Sequence, residues 1–131
     1  MTTFDPHPTD GELAILHVLW SRKSPATVRE VHEALQRTKD TAYTTVLKML
    51  TIMHDKGLVQ RDESERSHRF VASYPEPVVQ SSLLKDLMHR AFGGSAVTLV
   101  QRALADDTAS NAELDVIAKL IAEAKAKKGR R

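Results

Sequence analysis

Apolar residues along this chain fall into two rhythms. From Thr9 to Lys56 they recur every three or four positions, the spacing of one helical face. Leu13, Leu16 and Trp20 share such a face, with Ile15 and Leu19 beside them. Thr9 and Glu12 have the spacing of a capping box, in which hydroxyl and carboxylate satisfy two backbone donors reciprocally. This predicts a first helix ending near Arg22, because Ser24-Pro25 breaks the pattern. Thr27 and Glu30 repeat the box, and Val28, Val31 and Leu35 carry a short second helix to Gln36 or Arg37. Residues 37–41 are polar and read as a turn. A third helix is predicted from Asp40 or Thr41 to Lys56. Val46, Leu50 and Met53 lie on its buried side with Leu47 beside them, and Gly57 is available for a left-handed cap.

After Gly57 the rhythm changes. Residues 58–62 and 68–72 read as two short strands, joined through the charged loop 63–67. Tyr74-Pro75-Glu76-Pro77 ends the sheet and marks a boundary. From Val78 the helical spacing returns. Leu83, Leu84, Leu87, Met88 and Phe92 form one stripe, ended by Gly93-Gly94. Ala96, Val97, Leu99, Val100, Ala103 and Leu104 form another. Ser110 and Glu113 make a third capping box, opening a helix with Leu114, Ile117, Leu120 and Ile121.

The expected fold is therefore mainly α with a small β-hairpin: a winged helix-turn-helix over residues 1–74, then C-terminal helices over residues 75–131. Those last 57 residues are too few for a large core of their own, yet carry three amphipathic helices. Each large apolar side chain buried is worth ~1.5–3 kcal/mol. A two-fold partner would cover them, so the expectation is a homodimer joined through Leu83, Leu84, Leu87, Met88, Phe92, Leu99, Val100, Leu104, Leu114, Ile117, Leu120 and Ile121. The alternative is that these helices fold back on the winged helix in a monomer.

Composition narrows the function. The chain of 131 residues is 41% apolar and 27% charged, a globular balance. No apolar run approaches the ~20 residues of a membrane helix, and the N-terminus has neither the basic start nor the apolar stretch of a signal peptide. A cytoplasmic protein without membrane insertion is expected. There is no cysteine, hence no thiolate metal site, disulfide or cysteine nucleophile. The six histidines show no HExxH or comparable ligand spacing, and no phosphate loop or GxSxG elbow occurs. Asp106-Asp107 read as a loop pair without a partner. No enzyme, cofactor or metal is expected. Net charge is only +2, and residues 1–74 hold ten basic and ten acidic side chains. Much of the excess lies in the final KAKKGRR, read as a frayed, solvated end with a phosphate-binding role as the alternative.

A case for nucleic acid must therefore rest on where charges fall. The third helix puts Thr41, Tyr43, Thr44, Thr45 and Lys48 at its start and on its outer face. A helix fits the major groove and touches base edges with its N-terminal residues. Threonine hydroxyls bond phosphates or bases, and Lys48 reaches phosphate or guanine. Arg66 and His68 on the hairpin, and Thr27 and Arg29 at the start of the second helix, are candidate phosphate contacts. The alternatives are that Thr41 only caps, that Tyr43 is a core aromatic, and that the rest is solvated surface.

ELAILHVLW followed by TVREVHEAL, and TAYTTVLKMLTIMHDKGLVQR with the later HRFVA, resemble the BlaI/MecI/CopY family of penicillinase-type transcriptional repressors. The likeness covers roughly residues 9–74 well and 75–125 more loosely. It implies a homodimeric repressor that occludes a promoter by binding a pseudo-palindromic operator with TACA/TGTA-type half-sites, with β-lactam-response or related stress genes as the expected targets. It puts the DNA contacts on the third helix and wing, dimerisation on the C-terminal helices, and a membrane-bound sensor metalloprotease upstream in the penicillinase branch. This chain departs from the family's two control schemes. Without cysteine it lacks the copper branch's metal motif, and its only asparagine, Asn111, precedes Ala112 rather than the Phe of the cleaved Asn-Phe bond. The comparable segment is roughly residues 100–103. Two other functions stay open from the residues alone: a winged-helix protein-interaction module, and a MarR-like regulator responsive to a small molecule.

Overall fold

The computed structural model describes residues 7–130. Their elements run α1 (Asp10–Trp20), β1 (Ala26–Thr27), α2 (Val28–Leu35), α3 (Tyr43–Asp55), β2 (Val59–Asp62), β3 (Arg69–Ala72), α4 (Glu76–Phe92), α5 (Ala96–Ala105) and α6 (Asn111–Gly129). The winged helix-turn-helix followed by further helices is the expected class. The N-terminal residues weighed for a signal peptide (1–6), and Arg131 of the basic tail, lie outside the described residues.

Three helices begin at the capping boxes read from sequence. Thr9, Thr27 and Ser110 each accept the amide of Glu12, Glu30 or Glu113, whose carboxylate accepts the cap amide in return. The third helix begins later than expected, with Ala42 as its N-cap. Gln36 explains the shift: its Oε1 accepts the Thr41 amide at 2.7 Å and its Nε2 donates to Asp40 at 2.9 Å. Thr41 is thereby held in the turn rather than in the helix.

The sheet has one more strand than the hairpin. Ala26 and Thr27 pair antiparallel with Phe70 and Arg69, giving the order β1-β3-β2. Two residues carry no alternation, so β1 has no signature of its own and exists because β3 offers a free edge. In the other ladder Val59 faces Ala72 and Arg61 faces Phe70.

The core gathers Ile15, Leu16 and Leu19 of α1, Val31 and Leu35 of α2, Val46, Leu50 and Met53 of α3, and Val59 and Phe70 of the sheet. At Gly11 the tip of Met49 fills the space a Cβ would take, with Met49 Cε 2.6 Å from that position. Gly57, at φ 82°, ends α3 as expected, with the Leu58 amide donating back to Met53 at 2.9 Å. The residue before it closes a second link: Lys56 Nζ donates to the buried Glu12 carboxylate at 2.7 Å. Burial alone would raise the Glu12 pKa. The Lys56 hydrogen bond, the Thr9 amide and the Lys56 charge outweigh burial and hold it below the ordinary carboxylate value.

The stretch 74–77 opens a helix rather than only ending the sheet. α4 begins at Glu76, with Pro77 in its first turn, where a missing N–H costs nothing. Trp20 Nε1 donates to the Tyr74 carbonyl at 2.9 Å, His17 approaches Glu76 at 3.6 Å, and Val79 is buried. The chain divides into two compact units, one through Leu84 and one from Lys85, ten residues beyond the boundary expected at 74/75. In the second unit α6 runs to Gly129, so Lys125, Lys127 and Lys128 are helical rather than frayed. Asp106 does have a partner, Arg102 at 3.6 Å.

Replacing Lys56 by Met should lower unfolding free energy by about 1.5–3 kcal/mol, the worth of a hydrogen bond to a charged group. Because the Glu12 pKa is depressed in the folded state, this contribution is complete above the ordinary carboxylate pKa and is lost as pH falls through the folded value. Urea titrations at neutral pH and at a pH below the ordinary carboxylate value should show a shallower loss of stability on acidification for Lys56→Met than for the unaltered protein.

Candidate nucleic-acid interface

Once Val46, Leu50 and Met53 face the core, helical geometry assigns the rest of α3 to three strips. Thr44, Lys48 and Thr51 form an exposed crest. Tyr43 and Leu47 form the flank toward the sheet, and Thr45 and Met49 the flank toward α1. The Thr51 hydroxyl is taken by its own helix, donating to the Leu47 carbonyl at 2.9 Å. Those of Thr44 and Thr45 make no hydrogen bond among the described residues. Ala42 supplies no side-chain acceptor; the Thr45 amide donates to the Ala42 carbonyl at 3.0 Å, and the Tyr43 and Thr44 amides keep donors for an outside group.

Beside this crest lies an open cleft between the start of α2, α3 and the wing. Its walls include Thr27, Arg29, His32, Tyr43, Leu47, Arg61, Arg66 and His68. Tyr43 is 46% exposed and stands edge-on to His32, with centroids 5.7 Å apart, so it is not a core aromatic. Of the nine expected contact residues, five line this cleft: Thr27, Arg29, Tyr43, Arg66 and His68. Thr44 and Lys48 lie on the crest, while Thr41 and Thr45 border a shallower hollow on the opposite flank, with Gly11 and Leu35.

The cations here are unequal. Arg61 pairs with Glu63 at 3.6 Å, and Arg69 lies 3.8 Å from Glu30 and 3.9 Å from Glu65. Arg29, Lys48 and Arg66 have no carboxylate partner among the described residues and remain available to an anion. Glu30 is the local organiser. It accepts the Thr27 amide at 2.9 Å and Arg22 Nη2 at 3.1 Å. The Thr27 amide leads in lowering its pKa, burial opposes, and Arg22 adds to the lowering. Thr27 is thus committed to capping α2, with its hydroxyl engaged by Glu30. At the wing, Asp62 accepts the Ser64 amide at 2.9 Å, which turns the chain and is the chief cause of that carboxyl's lowered pKa.

A second surface lies on the C-terminal helices. Neither α5 nor α6 contains a buried residue. None of the twelve apolar residues expected at an interface is buried, and Leu87, Leu120 and Ile121 are half exposed or more. Val97, at 69%, and Val116, at 58%, are exposed as well. Neither is among the residues expected at an interface, although Val116 precedes Leu120 by one helical turn. Among the described residues no three His, Asp or Glu side chains gather as metal ligands, and no helix is long and apolar enough to cross a membrane.

The sequence profile described as penicillinase repressor matches residues 8–123. A transcriptional regulator BlaI from Mycobacterium tuberculosis is 35% identical over 127 residues, spanning 93% of this chain and 88% of its own. A penicillinase repressor from Staphylococcus aureus is 20% identical over 105 residues, spanning 80% of this chain and 82% of its own. Among solved structures, the MarR family transcription regulator SP03579 superposes with a TM-score of 0.51 at 22% identity, over 95% of this chain and 74% of that one, a likeness of fold.

Thr27→Ala should cost about 1 kcal/mol of stability through the lost cap, measured as a lower urea midpoint.

Proposed function

The chain belongs to the penicillinase repressor family, and on that premise we propose that it is a dimeric DNA-binding repressor that occludes a promoter by holding a pseudo-palindromic operator. The observation that carries this reading is the crest of α3. The unbonded hydroxyl of Thr44 and the unpaired Lys48 stand on it beside a cleft bearing Arg29, Tyr43, Arg66 and His68, and the unbonded hydroxyl of Thr45 lies on the opposite flank of the same helix start. A helix so dressed suits the major groove, with its first turns toward base edges. Phosphates then fall to Arg29, Lys48, Arg66 and His68, and to the open start of α3. Thr41, bonded through its amide to Gln36, contributes by its hydroxyl at the helix entrance, and Thr27 by fixing Arg29 at the start of α2.

The C-terminal helices complete the proposal. Apolar side chains left open on α4, α5 and α6 suit a second copy, which would set two reading heads on two half-sites. The interface comprises the twelve residues named from sequence together with Val97 and Val116. Such a repressor acts in the cytoplasm, and a membrane-bound sensor metalloprotease acting indirectly belongs to the same proposal. Residues 100–103 lie within α5, so a protease would need that helix to open before cutting there.

Three outcomes are expected. In gel-shift titrations Lys48→Ala should weaken operator and random DNA alike and reduce the slope of log affinity against log salt by about 0.9, the share of one phosphate. Thr44→Ala or Thr45→Ala should shrink the ratio of operator to random-DNA affinity several-fold; an unchanged ratio refutes the assigned readout. Leu120→Glu should convert the dimer to monomer in sedimentation velocity and weaken operator binding in parallel.

A further inference from the structure

The apolar residues of α3 do not all serve the core. Val46, Leu50 and Met53 are buried and Met49 packs against them, but Leu47 is 45% exposed and stands apart from that cluster. It follows Tyr43 by one helical turn and lines the cleft with Arg29 and Arg66. A lone exposed leucine is ordinary on a protein surface. This one sits on the groove-facing part of the helix, among side chains that draw in a polyanion.

We propose that Leu47 is a specificity-determining residue that packs against a thymine methyl group in the operator's major groove. The inference rests on the repressor reading above. Every base pair offers donors or acceptors along that groove, but only thymine offers a methyl group, at C5. A leucine side chain has no hydrogen-bonding atom, so apolar contact is the only base readout open to it. The contact separates thymine from cytosine and adds nothing to phosphate binding. It complements Thr44 and Thr45, whose hydroxyls read polar edges.

The test uses a duplex that the full-length protein itself selects from a randomised pool. Each thymine is replaced in turn by deoxyuridine, which deletes the methyl group and keeps the hydrogen-bonding edge. The unaltered protein should lose about fourfold in affinity at one position per half-site, the worth of one methyl group returned to water. Leu47→Ala should bind the parent duplex about as much more weakly and lose nothing further at that position. Leu47→Gln, which keeps the reach but is polar, should likewise be indifferent to the methyl group and guards against misfolding of the alanine variant. Equal deoxyuridine losses in the unaltered protein and either folded variant, at every position, overturn the proposal. If the unaltered protein selects no sequence at all, the repressor reading fails, and this inference with it.

Discussion

The carboxylate of Glu12 has to serve two helices at once. It accepts the Thr9 amide, which starts α1, and Lys56 Nζ, which stands just past the end of α3. It does so while almost wholly removed from water, its side chain only 6% exposed. A buried charge is tolerated only where partners replace its hydration. Glu12 therefore fixes where α1 begins relative to where α3 stops. That ion pair with Lys56 sets the seat of the helix that carries the crest. Everything assigned to that crest depends on this seat.

Much of this was legible in the residues. The three capping boxes mark their helices because the hydroxyl-to-carboxylate spacing is a local rule, independent of what surrounds it. The period-2 stretches and the Gly57 stop are local too. What escaped depended on partners distant in the chain. β1 exists because β3 has a free edge. The late start of α3 follows from the Gln36 amide reaching forward across the turn. Helix α4 starts early where Trp20 donates to the Tyr74 carbonyl and His17 approaches Glu76, both partners lying far away in α1. Within the candidate site, residue types were readable but their commitments were not. Nothing in the string says that Thr27 is consumed by Glu30, that Arg69 sits between two carboxylates, or that Leu47 is left outside the core.

The two units differ in how they account for their apolar side chains. The first encloses a contiguous cluster from α1, α2, α3 and the sheet. In the second, α5 and α6 are capped by Ser95 and Ser110 yet bury no residue. Good caps and helix-favouring residues shape individual helices, but most helical stability in proteins comes from packing an apolar face. For a chain whose helices find that packing in a second copy, folding and association share one free energy, and stability varies with protein concentration.

Ala42 leads outward from the fold. An acceptor side chain there would be an ordinary route to a more durable α3, as at the other helix starts. The same change would place an oxygen at the mouth of the helix, beside the Tyr43 and Thr44 amides, which have no partner among the described residues. Under the proposed reading, in which a phosphate approaches this helix start, thermal robustness and affinity pull this single position in opposite directions, and the Ala42 methyl group leaves the helix mouth unobstructed.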